Sequence, residues 1–479
     1  MRTTSLLRAA FAGGPLVLAA LAVEGQVQPP GQPRDIGSRL ELFVDGWLLE
    51  SMEGVELRLH HPTPREVALV FDRPWEGNTC GYVTVFEDDD AFRMYYRGSH
   101  YDWETKKGTH EVTCYAESDD GIQWAKPELG LFEFDGSKRN NIVWMGPGTH
   151  NFTPFKDTNP DCRPEARYKA LGRVEGGLVA FQSPDGIHWS LMQREPVITK
   201  GAFDSQNLAF WDSVRGCYAE YHRDFRQGHR DIRTCTSQDF INWTEPQWLD
   251  YGDAPREHLY TNAIKPYFRA PHILLGFPCR FFPERKKLTD HPISGINDSV
   301  LMTSRDGLHF SRWLEAFMRP GLQRERWWQR NNYAAWGMLV TKPAITGLPD
   351  ELSFYYNEHY YLGGNRLRRF TLRMDGFVSV HAPYAGGEML TRPLVFEGKQ
   401  LVLNYATSAA GSIRVEITDG DGTPLPGFTL DDCPELYGDS IEEAVAWKAG
   451  HDVSRLAGQV VRLRFLLKDA DLFALRFRP

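Results

Sequence analysis

Ser118-Asp119-Asp120-Gly121-Ile122-Gln123-Trp124 returns as Ser183-Pro184-Asp185-Gly186-Ile187-His188-Trp189, then as Ser237-Gln238-Asp239-Phe240-Ile241-Asn242-Trp243, then as Ser304-Arg305-Asp306-Gly307-Leu308-His309-Phe310. Arg373-Met374-Asp375-Gly376-Phe377 is a degenerate fifth copy. The copies lie 65, 54, 67 and roughly 70 residues apart, a period that marks one supersecondary unit used repeatedly. Within the motif the Asp-Gly pair makes a tight turn, because Gly tolerates positive φ and the Asp side chain bonds turn amides. Asp120, Asp185, Asp239, Asp306 and Asp375 are therefore assigned to structure rather than chemistry.

Around each copy the chain reads as short strands: Gly81 to Glu87, Phe92 to Arg97 and Val112 to Glu117 in the first unit, and Asn207 to Asp212, Cys217 to His222 and Ile232 to Thr236 in the third. No long amphipathic helix interrupts the series. Four strands and about 60 residues per unit fit a propeller blade. The fold class is all-β: a five-bladed β-propeller over residues 38–385, followed by a C-terminal β-sandwich over 386–479, where strands continue without the motif. The repeated turn belongs on the outer strand connections, with its tryptophan against the next blade, and the strand Leu40 to Leu49 is free to close the ring.

Residues 1–22 read as a signal peptide and 23–37 as a linker. Arg2 and Arg8 precede an apolar run, and Ala20-Leu21-Ala22 is an A-x-A cleavage pattern. The expected location is secreted or periplasmic, with no membrane contact after cleavage. The formal net charge of −9, falling to −11 without those two arginines, argues against nucleic acid as a partner. Aromatics reach 13%, which suits β-structure and a surface that stacks on ring-shaped ligands. The seven cysteines form no disulfide scaffold, although Cys217 and Cys235 flank one hairpin and either pair or stay as buried thiols.

Five blades and a β-sandwich behind a leader resemble glycoside hydrolase family 32, and the S-x-D-G-x-x-W motif resembles turns common in families 32, 43 and 117. The likeness is to family-32-like glycosidases secreted by polysaccharide-degrading bacteria. The family's W-M-N-D-P-N-G block and E-C motif are absent, and R-D-P has only a partial echo in Arg223-Asp224-Phe225, so fructan specificity does not carry over.

In a propeller the useful site is the axial funnel, lined by the innermost strand of each blade. Three entrances to those strands carry an acid: Glu76, Asp204 and Glu257, on blades one, three and four. Glycoside cleavage needs one protonated carboxyl and one ionised carboxyl, with a third able to tune the acid. Family-43 enzymes use those same blades, and the resemblance implies Glu257 as acid, Glu76 as base or nucleophile and Asp204 as orienter. Asp224 competes with Asp204 as the stabilising aspartate, and Glu358 is a reserve acid that also faces substrate.

Arg97, Arg223 and Arg280 recur at one place in three blades and either clamp carboxylate or sulfate groups bidentately, which points to an anionic sugar, or form inter-blade salt bridges with the funnel acids. Asn151 and Asn332 stand at strand entrances, suited to sugar hydroxyls or to inner-strand backbone groups. His222 and His258 belong to a set of one histidine per blade, suited to sugar hydroxyls. No H-x-H or H-E-x-x-H spacing assigns a metal ligand. No cofactor is called for, and the propeller axis leaves room for a structural divalent cation. Trp328 lies in Arg324-Glu325-Arg326-Trp327-Trp328-Gln329-Arg330, a basic and aromatic run that either stacks on a pyranose or buries its tryptophan pair between blades.

The expected function is a secreted glycoside hydrolase acting on an oligo- or polysaccharide through paired funnel carboxylates. Two alternatives stand beside it. One is a polysaccharide lyase using His258 and Tyr260 beside a uronate held by arginines. The other is a non-catalytic carbohydrate-binding propeller.

Overall fold

The computed structural model describes residues 32–479, so the expected leader and most of the linker lie outside the described residues. Apart from four three-residue 3-10 turns, the regular structure among the described residues is all strand. Five sheets circle an axis, each four strands deep. Blade one is Gly81–Asp88, Ala91–Asp102, Lys107–Ser118 and Ile142–Trp144, counted outward. Blade two is Gly148–Lys156, Tyr168–Val174, Gly177–Ser183 and Ser190–Leu191, and blade three is Leu208–Asp212, Cys217–Arg226, His229–Ser237 and Gln247–Trp248. In blade four the first two strands are interrupted: His258–Leu259 with Lys265–Tyr267, then Ala270–Gly276 with Cys279–Phe282, followed by Ile296–Ser304 and Ser311–Met318.

Blade five, Leu339–Thr341, Glu351–Glu358 and Arg366–Arg373, takes its outermost strand from the start of the chain, Thr63–Val70. This corrects the expectation for Leu40 to Leu49. That stretch is apolar on both faces: Phe43, Leu48 and Leu49 enter the sandwich core, while Leu40, Leu42 and Val44 fill the seam beside blades four and five. An outermost blade strand leaves an open edge, which wastes such a pattern. Thr63–Val70 is mostly exposed and carries Pro64, which an edge strand accommodates.

The sandwich therefore draws on both ends of the described chain. Arg34–Gly37, Glu41–Leu42, Leu49–Glu53 and Glu56–Leu59 join one sheet with Val378–Ala382, Gly387–Thr391, Leu394–Phe396 and the long strands Gln400–Asp419 and Val461–Arg478. Within the expected linker, Arg34–Gly37 runs parallel to Leu394–Phe396.

The repeated turns lie between the third and fourth strands and are built as their residue types require. Asp185 Oδ1 accepts the amides of Ile187 and His188 at 2.8 Å each, and Ser183 Oγ accepts the Gly186 amide at 2.9 Å. Asp120, Asp239 and Asp306 repeat the pattern. The tyrosine on the second strand of the blade before then reaches across the gap. Tyr95 Oη donates to Gly186 O and Tyr221 Oη to Gly307 O, both at 2.9 Å, and Tyr355 Oη donates to Gly121 O. The tryptophans pack on this same preceding blade rather than the next, with Trp189 on Tyr95 at 6.3 Å and Trp124 on Tyr355 at 5.8 Å. Each such hydrogen bond contributes about 1 kcal/mol. Where copy three lacks glycine, Phe240 itself adopts φ 68° and buries its ring on Phe155 and Tyr218.

All seven cysteines are free. Cys235 faces Glu220 across the strands while Cys217 lies three residues further along, so these two do not meet.

Candidate active site in the axial funnel

The inner strands run in one direction around the axis, Thr84 bridging Trp336 in parallel. Their starts surround one mouth. There Tyr82, Tyr260 and Tyr333, from blades one, four and five, form a buried cluster with Cys279 and Phe281. Four arginines close on it. Arg97 lies 4.7 Å over the Tyr82 ring, Arg223 and Arg230 lie 4.9 and 5.3 Å over Tyr260, and Arg330 lies 5.6 Å over Tyr360. Arg97 Nη2 donates to Tyr360 Oη at 2.8 Å and Arg330 Nη1 to Tyr361 Oη at 2.7 Å.

This packing leaves donors unused. Arg97 Nε, Arg223 Nε and Nη1, and Arg230 Nε are buried without a hydrogen-bond acceptor. Buried guanidinium N–H groups are costly in that state. The backbone is strained here too: Tyr82, Ala263, Arg330, Asn332, His359 and Tyr361 all hold φ between 44° and 66°, and such residues gather where a site over-determines its geometry.

Two half-exposed carboxylates touch the arginines. Asp204 pairs with Arg223, and its carbonyl accepts from Tyr82 Oη at 3.0 Å. Glu111 lies 3.9 Å from Arg97 and 2.8 Å from His150 Nδ1. Burial raises the Glu111 carboxyl, but the bond from His150 and the charges of His150 and Arg97 outweigh it and hold the group below its ordinary value. Arg97, Glu111, His150, Arg330, Tyr360 and Tyr361 line a cavity of about 460 Å³ beside the cluster, a size that takes a sugar residue.

Tyr260 differs from its neighbours. Burial pushes the Tyr82 and Tyr333 hydroxyls up. Burial acts on Tyr260 as well, yet the charges of Arg330, Arg223 and Arg230 outweigh it and bring this hydroxyl below the ordinary tyrosine value.

Of the residues singled out from sequence, the structure brings Asp204, Arg97 and Arg223 together at this mouth. Arg230 and Arg330 take the place expected of Arg280, whose guanidinium lies along Asp298 at 2.7 Å and meets Glu257 at 3.3 Å. Glu257 lies off the axis, in a cleft of about 610 Å³ between blades three and four, where Arg312 also binds it. That cleft holds Asp231 as well, whose carboxyl burial keeps above its ordinary value.

Glu76 is fully buried inside blade one, accepting from Tyr96 Oη at 2.6 Å and Lys126 Nζ at 2.7 Å. Asp224 alternates with Arg223 along its strand, so it turns away and pairs with Arg233 at 3.1 Å. Glu358 is sealed among Arg326, Arg366 and Arg368. His222 is fully buried with Nδ1 on Glu220 at 2.7 Å. His258 Nδ1 accepts the Arg230 amide at 3.1 Å, which removes that nitrogen as a base. Trp328 is buried between Trp103 and Tyr361.

Asn151 and Asn332 serve the backbone, donating to Ser205 O at 2.5 Å and Asn297 O at 2.9 Å. Among the described residues no cluster of three or more His, Cys, Asp or Glu is placed to hold a metal ion.

Arg230, Arg330, Glu111, Tyr82, Tyr333, Tyr360 and Tyr361 were missed as site residues. Arg330 closes the basic and aromatic run, and Arg230 stands one strand later than the arginines compared across blades. A search over third-strand starts would have found it.

No family model matches the chain. Among curated proteins, exodeoxyribonuclease I of Buchnera aphidicola subsp. Acyrthosiphon pisum (strain APS) is 36% identical over 97 residues, covering 17% of this chain and 23% of that protein. The chain thus spans less than a quarter of that relative's length. Solved structures with similar folds include one named simply as a glycoside hydrolase, at TM-score 0.43 and 13% identity over 67% of this chain and 95% of the other. The catalytic domain of a Coprinopsis cinerea GH62 α-L-arabinofuranosidase aligns at TM-score 0.42 and 10% identity, over 65% and 97% of the two chains. A member of the GH130 family of mannoside phosphorylases and glycoside hydrolases aligns at TM-score 0.40 and 14% identity, over 70% and 96%. Likeness at this level assigns no activity to the present chain.

Proposed function

We propose that this protein is a glycosidase-type enzyme that takes an anionic sugar residue into the axial funnel and cleaves a glycosidic bond there. The observation that carries the reading is the set of buried, acceptor-free guanidinium donors on Arg97, Arg223 and Arg230 around one tyrosine cluster. A carboxylate or sulfate supplies the paired acceptors that such donors need. Hydrolysis needs two carboxyl groups, and the two that touch these arginines are Asp204 and Glu111. The leader-like start of the chain supports an activity outside the cytoplasm.

The test is a screen of the purified protein against neutral, uronic and sulfated glycans, reading reducing ends. Anionic glycans are the expected substrates, and Asp204→Asn and Glu111→Gln should each lower turnover at least a hundredfold, a typical loss for a carboxyl that transfers or activates a proton. Activity that survives both and falls in Glu257→Gln would move the site to the cleft between blades three and four. A panel without products would leave a binding propeller.

A second reading rests on Tyr260. A hydroxyl acidified by three arginines suits removal of the proton next to a uronate carboxylate. The carbon–oxygen bond to the leaving sugar then breaks as the double bond forms, the departing oxygen takes up a proton from water, and the product absorbs in the far ultraviolet. Elimination should vanish in Tyr260→Phe and rise with pH as that hydroxyl ionises. Hydrolysis yields no such absorbance.

A further inference from the structure

The inner strands leave the axis open at its far end as well. There a cavity of about 340 Å³ is lined from every blade, including Phe86, Phe155, Trp211, Lys265, Trp336 and Met338. Its wall is mostly apolar, with Phe210 and Phe268 adding to the rings already named, and it carries two lysines with different surroundings. Lys156 is paired with Asp88 at 2.7 Å and Asp89 at 2.8 Å. Lys265 is half-buried, with Nζ 5.8 Å from the Trp336 ring centroid, and among the described residues it makes no ion pair. Glu87 lines the same mouth but is not within ion-pairing reach. Burial among the rings lowers the Lys265 ammonium to about 8. An ammonium that has lost water without gaining a counter-ion is poised to accept one, and the surrounding rings accept an apolar body.

We propose that this far mouth is a binding site for a small aromatic carboxylate, its ring among Phe86, Phe155 and Trp336 and its carboxylate on Lys265. The volume holds one or two fused rings. The site is separate from the funnel and does not depend on the function proposed for it.

The test titrates naphthalene carboxylate against the full-length protein, following quenching of tryptophan fluorescence, with naphthalene methanol as the neutral counterpart. At neutral pH the carboxylate should bind at least tenfold more tightly than the alcohol. Lys265→Met should erase that preference and Lys265→Arg should keep it. Raising the pH by about one unit beyond the lysine's lowered value should weaken the carboxylate roughly tenfold and leave the alcohol unchanged. Glu87, Lys156, Asp88 and Asp89 are the other charged groups near this mouth, so Glu87→Gln and Lys156→Met should retain the pH step. Equal affinities, a preference that survives Lys265→Met, or no binding at millimolar ligand would each overturn the proposal.

Discussion

At one end of the propeller axis five inner strands begin among arginines, tyrosines and left-handed backbone. At the other end the same strands finish among phenylalanine and tryptophan rings with a single unpaired lysine. The same inner segments run from one mouth to the other, with a break in blade four between Leu259 and Lys265, so the contrast does not come from the scaffold. It comes from what stands beside each strand end. At the funnel, second-strand residues such as Arg97 and Arg223 lie level with the strand starts and send long cations over the axis. At the far mouth the hairpins of blades one, three and four turn back within a few residues, as at Asp88 to Ala91, and the cavity keeps the apolar side chains of the strands themselves. A propeller can thus present a charged face and an apolar face from one set of strands.

The largest expected effect breaks the funnel alone. Arg223→Ala leaves Asp204 without its partner and removes the most donor-rich group at the cluster, so affinity for an anionic glycan should fall about a hundredfold, near 3 kcal/mol. Calorimetry on anionic and neutral glycans checks this, and naphthalene carboxylate binding at the far mouth should not change. An equal loss for both ligands would mean that the two ends are not independent.

The next effect lies at neither mouth but at the seam with the sandwich. Glu41 is buried between Arg305 at 2.9 Å, His272 at 3.1 Å and Arg39 at 2.7 Å. Burial raises its carboxyl, and Arg305, His272 and Arg39 outweigh that and bring it down to about 2 from 4.5. A depressed folded value contributes stability that is complete above the unfolded value and is lost as pH falls through the folded one. Roughly 3 kcal/mol should therefore disappear as pH drops across that window. Urea denaturation at stepped acid pH checks it, and Glu41→Gln should flatten that part of the profile.

The smallest effect falls on the perimeter that both mouths share. Tyr221→Phe removes the donor to Gly307 O and should cost about 1 kcal/mol of stability with both ligands still bound. A large change in either affinity would show that the outer turns set the geometry of the axis.

The architecture was legible because the repeated turn is a local device. Ser, Asp, Gly and Trp satisfy each other within seven residues, and a short read reveals them. The closing strand was not legible, since Thr63–Val70 contains Pro64 and shows little burial, while Leu40 to Leu49 looks the stronger strand. At the site, an acid at a strand entrance can face the axis, the blade interior or the blade flank. Asp204, Glu76 and Glu257 do one each, and a side-chain period of two makes the choice hang on a single residue of register. The arginines fared better: Arg97 and Arg223 reach the axis, while Arg280 is captured by Asp298 directly across its strand pair.

The chain enters through Arg34–Gly37 in the sandwich, lays down the last strand of blade five, circles through all five blades and returns to the sandwich to finish at Val461–Arg478. Both described ends of the chain are anchored in one sheet. Tension applied between them passes through that sheet, where Leu394 lies between Arg34 and Val461, and the propeller hangs from it as an unloaded ring. In a pulling experiment the sandwich should rupture first, and only then should force reach the strand that buckles the ring shut.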